Sequence, residues 1–140
     1  MRYIFILLLL LSHNLIASNI SAEEKIYTSI LKALFPNNGK VIVWTDDNTK
    51  DAIFSHIKNS YVTQKREKAN ILFIFHTLNI DSKKPKFVGS YPLLKHYKKD
   101  AIGGFYWQKG RPNLIFLQEN LKRKGLHVNG TLKHYVEDSF

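Results

Sequence analysis

Three short polar stretches carry the side chains best suited to chemistry: Thr45-Asp46-Asp47-Asn48-Thr49, His76-Thr77 and Ser90-Tyr91. Each follows an apolar run, VIVW, ILFIF and KFVG in turn. If those runs are parallel strands, the three stretches converge at the strands' carboxyl ends, where open α/β sheets form a ligand crevice. Asp46, His76, Ser90 and Tyr91 would then present a carboxylate, an imidazole and two hydroxyls to a small polar solute. The same residues also have purely local uses. Residues 46–49 are of the types that cap helices, His76 can bond to backbone at a strand end, and Ser90 can cap a helix that begins with Tyr91-Pro92. A serine triad lacks its G-x-S-x-G elbow, because VGSY does not have that spacing. His56, His76, His96, His127 and His134 are scattered, without an H-E-x-x-H pair. The stretch DDNTKD lacks the glycine and terminal glutamate of a calcium loop, and no glycine-rich phosphate loop opens a helix. No catalytic residue, metal or cofactor is expected, and the chain reads as a non-enzyme.

A second candidate is GGFYWQKGRPNLIF, residues 103–116. Its alternation predicts two antiparallel strands around a Lys-Gly turn, with Phe105 and Trp107 on one face and Tyr106 on the other. Leu114 and Phe116 return across from them. These aromatics read mainly as core, while Lys109 and Arg111 must stand on the exposed tip, open to a phosphate, a carboxylate or an acidic partner. Lys109, Arg111, Trp107 and Tyr106 are therefore the expected partner-binding residues.

Which partner depends on the compartment. The chain opens with Arg2, the apolar run Tyr3–Leu11 and a small-residue exit near Ala17, a pattern that reads as a secretory signal over residues 1–17 ahead of one domain, 18–140. The run is about half of the roughly 20 residues that cross a bilayer. There is no cysteine among the 140 residues, so disulfides, thiolate metal sites and a lipidated N-terminal Cys are excluded. With 21 Lys and Arg against 11 Asp and Glu, the formal charge is +10. In the periplasm such a surplus faces anionic lipid, polymer or an acidic protein surface rather than nucleic acid.

Periodicity supplies the elements that hold these residues. Ile26, Tyr27, Ile30, Leu31, Leu34 and Phe35 form one helical stripe, with Ser21 as its cap and Pro36-Asn37-Asn38-Gly39 as its stop. A strand follows at VIVW, then a helix at 48–59 capped by Asn48 or Thr49, a second covered strand at 70–77, a short strand at KFVGS and a helix at YPLLKHYKK. Helix QENLKRKG and a last helical stretch, TLKHYVE, come after the hairpin. A helix between two covered strands implies parallel pairing. The expected fold is a three-layer α/β/α domain whose mixed, partly parallel sheet ends in an antiparallel hairpin.

The order of these pieces resembles the YfiR-like family of small periplasmic proteins. The likeness rests on Gly103-Gly104, Gly110-Arg111, Leu114-Ile115-Phe116, Asn120, Gly125-Leu126 and Leu132. That resemblance implies a regulator that docks on the exported sensor portion of an inner-membrane signalling protein, typically a diguanylate cyclase, with other members beside sensor kinases or transporters. The chain departs from the family in having no cysteine for redox response and a short span before ILFIF. Two readings follow. One is a periplasmic regulatory module using the hairpin tip, with peripheral membrane contact. The other is a small-solute receptor or transport accessory protein using the crevice at Asp46, His76, Ser90 and Tyr91.

Overall fold

The computed structural model describes residues 22–138. The expected signal over 1–17 and the Ser21 cap lie outside the described residues. Helix α1 (22–34) buries Tyr27, Ile30, Leu31 and Leu34, the stripe read from its spacing. A seven-stranded sheet follows, built from β1 (Val41–Thr45), β2 (Ser60–Val62), β3 (Ile71–Ile74), β4 (Lys86–Val88), β5 (Gly103–Gln108), β6 (Arg111–Leu117) and β7 (Val136–Glu137). Its order is β2-β1-β3-β4-β5-β6-β7. All neighbours pair in parallel except the hairpin β5–β6. Short helices α2 (Asp51–His56), α3 (Tyr91–His96) and α4 (Gln118–Arg123) occupy the connections.

The sheet is covered on both faces, as the unbroken apolar strands require. Along β3, Ile71 and Phe73 face α1 and α2, whereas Leu72 and Ile74 face Leu93, Leu94 and Tyr97 of the α3 layer. On the first face a run of rings crosses the sheet: Phe54 to Phe73 at 4.5 Å, Phe73 to Phe87 at 5.4 Å and Phe87 to Phe116 at 5.9 Å between centroids. Each ring is fully buried, and burial of a side chain that size contributes about 2–3 kcal/mol. Gly103 permits the hairpin to close against this layer. A β-carbon there would lie 2.3 Å from the Ile115 carbonyl oxygen.

Two elements differ from the sequence expectation. Helix α2 leads into the edge strand β2 rather than directly to β3. The last segment is a 3-10 helix, Gly130–Tyr135, followed by β7, which adds parallel to β6 beyond the hairpin. Of the candidate capping residues 46–49, Asp47 takes the role, accepting from the Thr49 N–H ahead of a 3-10 turn, Asn48–Lys50, that leads into α2.

Candidate functional site

The carboxyl ends of β1, β3 and β4 do lie side by side, but their polar groups are committed to holding loops. Asp46, at the end of β1, accepts from the backbone N–H of Phe75 at 2.7 Å, of His76 at 3.0 Å and of Thr77 at 2.6 Å. Burial alone would raise this carboxyl, yet the three N–H donors outweigh it and hold Asp46 below the usual carboxylate range. Asp47 faces the same opposition. Desolvation pushes it up, while Thr49 and His76 bring it below its ordinary value. His76 places Nε2 3.0 Å from the Asp47 carboxylate, with 68% of its side chain in solvent. The Tyr97 hydroxyl donates to the Thr77 carbonyl at 2.8 Å and accepts from the Ile80 N–H at 3.1 Å. The loop after β3 is thus tied to β1 on one side and to the α3 layer on the other.

Ser90 performs the local task its position suggests, accepting from the Leu93 N–H at the start of α3. Tyr91 turns away toward the hairpin: its ring centroid is 5.9 Å from that of Tyr106, and the Lys95 ammonium lies 5.7 Å from the Tyr91 ring. Burial, then the Tyr91 phenol, push the Tyr106 phenol above its ordinary value. Asp46 and His76 therefore stand on adjacent strands with Asp46 filled by backbone donors. Ser90 and Tyr91 belong to the next strand and its helix. Among the described residues no three carboxylate, imidazole or thiol groups converge as a metal site would need.

The hairpin end is arranged differently. Strand β5 runs parallel to β4, so its tip projects from the same end of the sheet as the Asp46 loop. Lys109 and Gly110 form a two-residue turn, both with positive φ, 51° and 73°. That is the type I′ geometry for which Asn-Gly is the least strained choice. Trp107, opposite Pro112, keeps 52% of its surface exposed and rests 6.1 Å from the Phe105 ring. Lys109 and Arg111 are exposed beside it.

Below the tip lies an open groove of about 290 Å³ between α1, the hairpin and the C-terminal 3-10 helix. Ile26, Phe105, Pro112, Leu114, Leu132 and Tyr135 form its apolar wall, and Lys25 stands at its side. Tyr135 is itself 45% exposed. Sequence reasoning missed this groove, since its walls come from three segments that no local pattern connects. The outer edge of β6 flanks it. Because Leu117 donates toward Ile102 on the β5 side, strand alternation turns the backbone of Phe116, Leu114 and Pro112 outward. Strand β7 covers only Phe116 and Leu117, and Pro112 has no N–H to offer, which blunts the remaining edge against strand addition.

Among the described residues no helix is long and apolar enough to cross a membrane. Compared with known proteins, the chain matches no family model and no curated protein.

Proposed function

We propose that the chain is a non-catalytic periplasmic binding module whose hairpin end docks on an acidic, apolar-centred surface of the exported domain of an inner-membrane signalling protein. The observation that carries this reading is Lys109. An L-residue with a long side chain holds a left-handed conformation that glycine or asparagine would adopt at less cost, at the turn of the hairpin whose Phe105, Pro112 and Leu114 help line an open apolar groove. A lysine at that position is best accounted for by what its charge meets. Lys109 and Arg111 would steer an acidic partner, and an apolar side chain seated between Trp107, Leu114 and Tyr135 would hold it. The blunted β6 edge favours side-chain insertion over an added strand.

The crevice reading draws less support from the geometry, because Asp46 already accepts three backbone N–H bonds, through both of its oxygens, that hold the loop after β3. Titration of exported domains of inner-membrane cyclases and sensor kinases from the same genome tests the docking reading. Binding should appear with one such domain and weaken at least about tenfold for the K109E/R111E variant, since close charge pairs at interfaces couple by about 1.5 kcal/mol or more. The melting temperature should stay unchanged. Binding to none of them, or equal binding by the variant, would defeat the proposal.

A further inference from the structure

The excess positive charge does not reside mainly at the hairpin. Strands β1 to β5 are mutually parallel and β6 is antiparallel, so the starts of β4 and β5 and the end of β6 all lie at the end of the sheet opposite the tip. Lys83 and Lys84 precede β4, Lys98 and Lys99 precede β5, and Lys122 and Lys124 follow β6. Hydrogen bonds draw these segments together: Arg123 donates to the Lys99 carbonyl at 2.8 Å and Lys124 to the Lys83 carbonyl at 2.9 Å. Arg66 and Glu67, ahead of β3, adjoin Ser82–Pro85 at the same end. Asp100 lies among them, engaged by the buried Lys86 and 3.6 Å from Lys124, and Glu67 and Asp81 beside Lys83 and Lys84, with Glu119 and Asp138 beside Lys98 and Lys99, offset part of the positive charge but not all of it. Lys83, Lys84, Lys98, Lys99 and Lys122 have no ion pair among the described residues. At the tip end, by contrast, Glu23 pairs with Lys50, and Asp46 and Asp47 stand nearby.

We infer that this lysine-rich end is a contact surface for anionic phospholipid headgroups. Neighbouring strands are about 4.8 Å apart, so the five ammonium groups without an ion pair belong to segments gathered at the ends of three adjacent strands. A surface of that kind gains from the negative potential of an anionic leaflet, and each cation contributes separately without a fixed partner. Its chemistry differs from a nucleic-acid site. The cations are mostly point-charge lysines rather than bidentate guanidinium forks, and the two arginines at this end are engaged, Arg123 by the Lys99 carbonyl and Arg66 over the Trp44 ring at 5.6 Å. None of the exposed rings, Tyr61, Tyr91, Trp107 or Tyr135, belongs to these three strand ends, which leaves bases nothing there to stack on. With the headgroups at one end, the groove at the other remains open.

Co-sedimentation of the full chain with vesicles tests this, using phosphatidylcholine alone as the baseline for the apolar Tyr3–Leu11 run and adding 30% phosphatidylglycerol as a stated choice of roughly physiological anionic content. The anionic lipid should increase partitioning at 0.1 M salt, and 1 M salt, where the Debye length falls to about 3 Å, should erase the increase. The K83E/K84E/K98E/K99E variant should lose the increment by about 100-fold or more, while K109E/R111E retains most of it. Circular dichroism melts confirm that both variants fold; if the quadruple variant does not, K98E/K99E alone should still lose about tenfold. No increment with phosphatidylglycerol, an equal loss in the hairpin variant, or tighter binding to a single-stranded oligonucleotide than to the anionic vesicles each overturns the inference.

Discussion

Replacing Asp46 by Asn preserves shape and removes one charge at the junction of β1 and β3. Asn can still present one oxygen, but its amide nitrogen must then face backbone N–H donors that the carboxylate accepts. The Phe75 bond is half-buried, while those to His76 and Thr77 are exposed and can be replaced by water. A hydrogen bond to a charged group contributes about 1.5–3 kcal/mol when shielded and much less in water, so the expected loss is about 2 kcal/mol at pH 7. In a domain of this size that lowers the melting temperature by roughly 5–10 °C. The pH dependence carries the decisive sign. Burial opposes ionisation, but the N–H donors prevail and the folded-state pKa lies below the unfolded one. The stabilisation is therefore complete above the unfolded value of about 3.9 and disappears as pH falls through the lower folded value. Thermal melts of the native chain and D46N should differ at pH 7 and converge toward pH 2. Equal stability at pH 7, or a gap unchanged at low pH, would refute the assignment of Asp46 as a charged loop anchor.

The buried Lys86 side chain is 2% exposed, and its partner Asp100 is 42% exposed. D100A should lower the urea midpoint by an amount worth about 2–3 kcal/mol, whereas K86M should cost about 1 kcal/mol or less, because only the first strands a charge in the core; equal losses would contradict that ordering. G103A should destabilise by about 3 kcal/mol in the same assay, since the new β-carbon meets the Ile115 backbone oxygen rather than a movable side chain, and a native-like midpoint would show that the hairpin can shift. K109N should raise stability by about 1 kcal/mol by relieving the positive φ while weakening partner binding, and a neutral effect on both measurements would remove the case for Lys109.

Much of the scaffold could be read from residue pattern because β1 and β3 are covered on both faces and appear as unbroken apolar runs. The hairpin showed itself through alternation around Lys109-Gly110, and α3 through Ser90, Pro92 and Leu93-Leu94. Strand β2 was illegible because its three residues alternate Ser60 buried, Tyr61 exposed and Val62 half-buried, with no apolar run to mark them. Strand β7 has two residues inside a stretch whose spacing looks helical. The role of Asp46 was hidden for a different reason: its donors are 29 to 31 residues away, whereas a cap is visible locally. The groove and the lysine-rich end likewise depend on which strand neighbours which, a property of topology that no short window contains.

The docking claim meets its most direct test in living cells, with a photocrosslinking amino acid at position 107 or 114 and, as a control, at position 58. Illumination should join positions 107 and 114, but not 58, to one inner-membrane protein with an exported domain, and K109E/R111E should abolish the product. The same adduct from position 58, or adducts from 107 and 114 that persist in the K109E/R111E background, would contradict the account.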